Sequence, residues 1–218
     1  MEKFCSAMSQ QRFAGVGAVK KLWKPGQNLR VYCGCSQSFG REIVRIANTW
    51  AEYANITFSL YEQRRCEIRV GFNRADGSWS MVGTDALEVR EKEDTMNLGW
   101  LYEGMVDTEE LRRVVLHEFG HALGLEHEHS SPMLGVDWNR PLVYDYYRRT
   151  NGWSQSDVDF NIFRRLEVAE VLATPFDDRS IMLYSFPPEF TTNGVGFPWS
   201  NTELSEGDKQ LISKLYPF

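Results

Sequence analysis

The sequence predicts a single α+β domain, in which a twisted mixed β-sheet carries long helices above a cleft and a mostly irregular lobe lies below. Three observations carry that prediction. Residues 29–72 show strand-like and helix-like patterns in the order strand, helix, strand, strand. A second helical pattern runs through Val114, Val115, Phe119, Ala122 and Leu123 and stops at Gly124. Residues 130–179 hold scattered aromatics and loop signals. With 218 residues at 42% hydrophobic, the chain is large enough for one domain with a real core, or for two small lobes across a cleft.

Residues 1–20 are polar with scattered Gly and Ala, and read as an N-terminal arm or pro-segment remnant ahead of a catalytic domain over 21–218. After the Pro25-Gly26 turn, Leu29–Tyr32 is the first strand. Phe39, Ile43, Ile46, Ala47, Trp50 and Ala54 then recur at helical spacing behind Ser38 as N-cap, which predicts a long helix packed on the sheet. Ile56-Thr57-Phe58 and Cys66–Phe72 alternate as strands, so the strand–helix–strand order implies a parallel crossover. Thr95–Leu101 is the strand nearest in sequence to the second helix. In the lower lobe Tyr144, Tyr146, Tyr147, Trp153, Phe160 and Phe163 are read as core, between loop signals at Asn151-Gly152 and Thr174-Pro175. Ser205 and Asp208 cap a last helix whose Leu211, Ile212 and Leu215 face inward before Pro217 stops it.

The chemistry is concentrated in His117-Glu118-Phe119-Gly120-His121-Ala122-Leu123-Gly124-Leu125-Glu126-His127, and all four histidines of the chain fall between His117 and His129. Four residues apart on a helix, His117 and His121 stand one above the other and can grip one ion. A continuing helix would carry His127 about 120° off that face, so the chain has to turn first. Gly124 permits the turn, because glycine tolerates positive φ and can close the helix. Three neutral imidazoles then hold one catalytic Zn²⁺ and leave a position for water. Glu118 is rotated away from the metal, which suits a general base acting on the zinc-bound water during amide hydrolysis. His129 is read as a supporting or solvated residue, three ligands being already supplied.

Downstream, Ser180-Ile181-Met182-Leu183-Tyr184 follows His127 by about 55 residues. The extended histidine motif with such a methionine turn resembles the metzincin clan of zincin-like peptidases. Within it the chain is similar to the astacin family, on Glu128 after the third histidine, the Ser-x-Met-x-Tyr turn, Ser78-Trp79-Ser80-Met81-Val82-Gly83, and the closing Leu204-Ser205 and Leu215-Tyr216-Pro217. The similarity covers roughly residues 20–218. It implies a zinc metalloendopeptidase acting on extended polypeptides, with zinc held by His117, His121 and His127 on an active-site helix and catalysis by Glu118. Met182 would form a hydrophobic floor. Tyr184 would be a phenol that leaves the metal to hydrogen-bond the developing oxyanion. In metzincins the edge strand runs antiparallel to bound substrate, which points to Asn97, Leu98, Gly99 and Trp100 as substrate-binding. Leu183 departs from the usual histidine and no cysteine follows Cys66, so the two disulfides usual in animal astacins cannot form in the same way. A compact microbial-type member fits better.

A net charge of −6 with no basic run argues against nucleic acid, and no apolar stretch has transmembrane length. The expected partner is a polypeptide substrate met by a monomer. The resemblance favours secretion, although no charged start and apolar middle mark a signal peptide. Cys5, Cys33, Cys35 and Cys66 leave room for one or two disulfides, and a zinc-capping role for Cys5 lacks a supporting sequence context. A competing reading is a zinc-stabilised module that binds peptides without turnover, which leaves Glu118 with no purpose.

Overall fold

A computed structural model of the protein describes residues 5–8 (as backbone), 21–105, 107–131, 134–165, 176–197 and 201–218. The strands are β1 (Cys5–Met8), β2 (Asn28–Cys33), β3 (Thr57–Leu60), β4 (Ile68–Gly71), β5 (Ser78–Met81) and β6 (Met96–Leu98). The helices are α1 (Gln37–Ala47), α2 (Thr108–Ala122), α3 (Arg140–Asn151), α4 (Gln155–Val158) and α5 (Glu206–Leu215). The Thr174-Pro175 loop signal and most of the N-terminal arm lie outside the described residues.

The strands form one mixed sheet in the order β1-β5-β6-β4-β2-β3. β3 and β4 both pair in parallel with β2, as the strand–helix–strand reading requires. β5 is antiparallel to β6, whereas β1 lies parallel on the outer edge of β5. Alternation along β2 sends Leu29, Val31 and Cys33 inward, where they meet Phe39, Ile43 and Ile46 of α1. Each fully buried aliphatic or aromatic side chain in this layer contributes about 1.5–3 kcal/mol through removal from water.

The first helix starts two residues earlier than the pattern suggested, because Ser36 rather than Ser38 accepts the Phe39 N–H. It also ends sooner. The Asn48 side chain bonds both Val44 O and Phe58 O at 2.9 Å and accepts the Phe58 N–H, turning the chain toward β3, and a short 3₁₀ turn at Trp50–Glu52 keeps Trp50 buried. The lower lobe carries more helix than expected: α3 begins with Pro141 in its first turn and ends at Gly152 in the left-handed region, φ 70°. Val143 and Tyr147 of α3 pack with Val158, Ile162, Phe163, Tyr184, Phe186 and Phe190 as a second core. Met182 belongs to the upper core and Tyr184 to the lower one, so the Met182–Tyr184 segment joins the two.

Three hydrogen bonds from buried aromatic side chains fix α2 in place. Trp50 Nε1–H donates to Leu116 O at 3.0 Å, Trp23 Nε1–H to Ala122 O at 2.8 Å, and the Tyr216 hydroxyl to Leu123 O at 2.8 Å.

Candidate metal centre

Asp107 caps α2 by accepting the Glu110 N–H at 2.9 Å, and Glu109 and Glu110 in the first turn complement the positive end of the helix. At the other end Gly124, φ 91°, ends the helix in a Schellman arrangement, with Leu125 N–H to Gly120 O at 3.0 Å and Gly124 N–H to His121 O at 2.8 Å. This turn brings Leu125 O to within 2.7 Å of His121 Nδ1. His117 Nδ1 lies 2.7 Å from Ile181 O. A carbonyl can only accept, so both Nδ1 atoms donate and both Nε2 lone pairs point inward, the tautomer a metal ligand needs.

His127 reaches the same point from beyond the turn. Its Nε2 is 3.1 Å from that of His121, and its ring centroid is 5.3 Å from that of His117. One ligand atom from each of His117, His121 and His127 lies within 4.8 Å of the others, all three residues being buried. His117 Nε2 has no hydrogen-bond partner among the described residues. Burial pushes the imidazoles of His117 and His127 well below the ordinary value, and that of His121 down to about 4. An inward lone pair without a partner, on one of three neutral imidazoles, is the donor set that zinc takes. Glu118 is 1% exposed, one residue along α2. The Tyr184 ring meets that of His127 edge-on at 4.7 Å between centroids.

The family model for astacin, a peptidase family, matches residues 18–195. The chain belongs to the astacin family. Two solved structures of myroilysin are similar to this astacin, one at 38% identity and TM-score 0.87 over 94% of this chain and 99% of the other, the second at 36% and 0.74 over 99% and 91%. A zinc-protease hatching enzyme of the medaka fish, Oryzias latipes, shares the fold at 19% identity and TM-score 0.62, over 91% of this chain and 96% of that one. No curated protein matches.

One site expectation needs correcting. In this astacin, β6 is an interior strand, hydrogen-bonded to β4 on one side and β5 on the other, so its main chain has no free edge to offer a peptide. The antiparallel strand beyond it is β5, Ser78–Met81, whose other side is paired with β1. Asn97 is buried and spends its side chain on Asn73 N–H, Asn73 O and Gly77 O; Leu98 is core; and Gly99 sits where any Cβ would strike Gly77 O and Asn73 O. Trp100 donates through Nε1–H to Glu110 at 2.9 Å.

The fold also adds supports that the motif alone did not single out. A Cβ on Gly120 would overlap Met182 Sδ, so a glycine lets the methionine turn lie directly against the helix. Asp208 accepts the Ser180 hydroxyl at 2.7 Å, the Ile181 N–H at 2.8 Å and the Ser205 N–H at 2.9 Å; Ile181 O in turn orients His117. The sequence marks Asp208 only as a capping residue of the last helix. Among the described residues it is the link between α5 and the turn beneath the histidines. His129 is not solvated, and it stands outside the group of three histidines whose ligand atoms converge. It is buried, stacks on His127 at 5.2 Å, lies 5.0 Å from Tyr184, and is tied through Nε2 to Asn161 O at 3.0 Å. Glu128 donates its backbone N–H to Met182 O and accepts the Asp177 N–H on its carboxylate, and burial raises that carboxyl to about 8.

Proposed function

We propose that this astacin is a zinc-dependent endopeptidase hydrolysing extended polypeptides, with His117, His121 and His127 holding the metal and Glu118 as general base. The observation that carries the reading is the convergence of three buried imidazole donors beside a buried glutamate. Zinc bound there supplies a Lewis acid and lowers the pKa of a water to about 7. Glu118 accepts the proton of the attacking water and returns it to the leaving amine. Tyr184, set against the His127 ring, donates its hydroxyl to the oxyanion of the tetrahedral intermediate, and Met182 supports the ligands from below. Pairing of Cys5–Met8 along the outer edge of β5 supports treating residues 1–20 as an arm attached to a catalytic domain at 21–218.

The test is digestion of a proteome-derived peptide library with and without a zinc chelator, beside Glu118→Ala. Cleavage should disappear in both controls. The variant should keep zinc while losing at least about two to four orders of magnitude in turnover; full cleavage by it would rule the mechanism out.

A further inference from the structure

Away from the metal centre, Cys33, Cys35 and Cys66 all carry free thiols. Cys33 ends β2 and is buried against α1, where a Cβ on Gly40 would stand 3.4 Å from its own. The chain bends at Gly34, whose N–H bonds Val70 O at 2.9 Å. Cys35 thereby lines the same cavity as Cys33, with its thiol on Ser36 O at 3.4 Å. The next residue, Ser36, is the N-cap of the eleven-residue α1, so Cys35 sits at the amide end of a helix, where partial positive charge favours a thiolate.

Cys35 is half-buried and opens onto a cavity of about 310 Å³ that it shares with Cys33, Tyr32, Tyr61 and Glu62. That volume accommodates a small organic molecule. The two thiols are unequal. Interaction with the neighbouring Cys33 thiol holds Cys35 below its ordinary value, against burial and the Glu103 carboxylate, and the same interaction, with burial, pushes Cys33 up. Cys66 differs from both, being buried with its thiol on Ile68 O at 3.1 Å.

From this juxtaposition we infer that Cys33-Gly34-Cys35 is a thiol–disulfide exchange site for small-molecule disulfides, with Cys35 the attacking thiol and Cys33 the resolving one. The Cys35 thiolate attacks one sulfur of a disulfide RSSR. Its S–S bond breaks, one RS⁻ leaves and takes up a proton, and Cys35–S–S–R forms. Cys33 then loses its proton and attacks the Cys35 sulfur, which expels the second RS⁻ to be protonated in turn. The net change is two protein thiols plus RSSR giving one Cys33–Cys35 disulfide and two RSH, so two electrons pass from the protein to the small molecule. A ring closed over a single intervening residue is strained, which makes the bond readily reversible.

The experiment uses the full-length protein carrying Cys5→Ser, reduced and then incubated with oxidised glutathione at neutral pH. After an acid quench, alkylation and peptide mass spectrometry locate each sulfur. A Cys33–Cys35 disulfide with Cys66 still alkylated is the expected result. In a Cys33→Ala version the glutathione adduct should persist on Cys35. Iodoacetamide should modify Cys35 on the order of tenfold faster than Cys66. Alkylation of both Cys33 and Cys35 after glutathione exposure, or an adduct on Cys66 ahead of Cys35, overturns the proposal. Mapping in the Cys5→Ser protein decides the matter even if Cys33→Ala fails to fold.

Discussion

Replacing Gly120 by alanine sets two opposed effects against each other on the helix that carries His117 and His121. Alanine is the better helix former by about 0.8–1 kcal/mol in a helix interior. The added methyl, however, would overlap Met182 Sδ and stand 3.1 Å from Trp50 Cζ2 and 3.3 Å from Met182 Cε. Trp50 is fully buried and pinned by its hydrogen bond to Leu116 O, so it has nowhere to go. Met182, 2% exposed, has to retreat. Overpacking of this kind costs about 1–3 kcal/mol. The net expectation for Gly120→Ala is therefore a destabilisation of roughly 0–2 kcal/mol, or a few degrees in Tm for a domain of this size. Because Ile181 O holds His117 Nδ1, a displaced methionine turn should weaken zinc binding as well. Urea unfolding gives the first quantity and chelator competition the second. Adding Met182→Ala makes room for the methyl, so the double variant should lose less stability than the sum of the singles, by on the order of 1 kcal/mol. A Gly120→Ala protein more stable than the parent, with unchanged zinc affinity, would mean that Met182 does not press on Gly120.

Asp208→Ala removes a buried acceptor from two backbone N–H groups and one hydroxyl, so unfolding in urea should show a loss of roughly 2–5 kcal/mol, and a loss below about 1 kcal/mol would mean that the turn is held by other contacts. Zinc at a hundredfold excess over its Kd should raise the stability of the metal-free protein by about 2.7 kcal/mol; a calorimetric scan with His121→Ala, which lacks one ligand, should show little of that gain. Burial alone would raise the Glu67 carboxyl, but its hydrogen bonds from Arg30 outweigh burial and hold it below the ordinary value. A depressed folded-state pKa contributes stability that is present above the unfolded value and is lost as pH falls through the folded one. Glu67→Gln should thus cost about 1 kcal/mol or less at pH 7, with the difference from the parent closing below the ordinary carboxylate value of 4.5. A gap that stays constant down to about pH 3 in denaturant titrations would contradict that assignment.

Features set by local geometry were legible in the amino-acid order alone. The four-residue spacing of His117 and His121 puts them on one helix face, and the glycine at 124 ends that helix, because helical periodicity and positive φ depend on a few neighbouring residues. The same holds for the capping box at Ser205 and Asp208 and for the alternation that makes β2 a strand. Which strand lies at the edge of the sheet was not legible. β6 and β5 are both short and largely buried, and only the pairing of β6 with β4 and β5 places it in the interior. The supports of the three-histidine cluster were hidden for the same reason. Gly120 lies 62 residues before Met182, Asp208 acts on Ile181 27 residues away, and His129 meets Asn161 across 32. Such contacts arise when the two cores close on each other and bring the Met182–Tyr184 segment beneath the imidazoles, a packing decision made by the whole chain rather than by any run of residues within it.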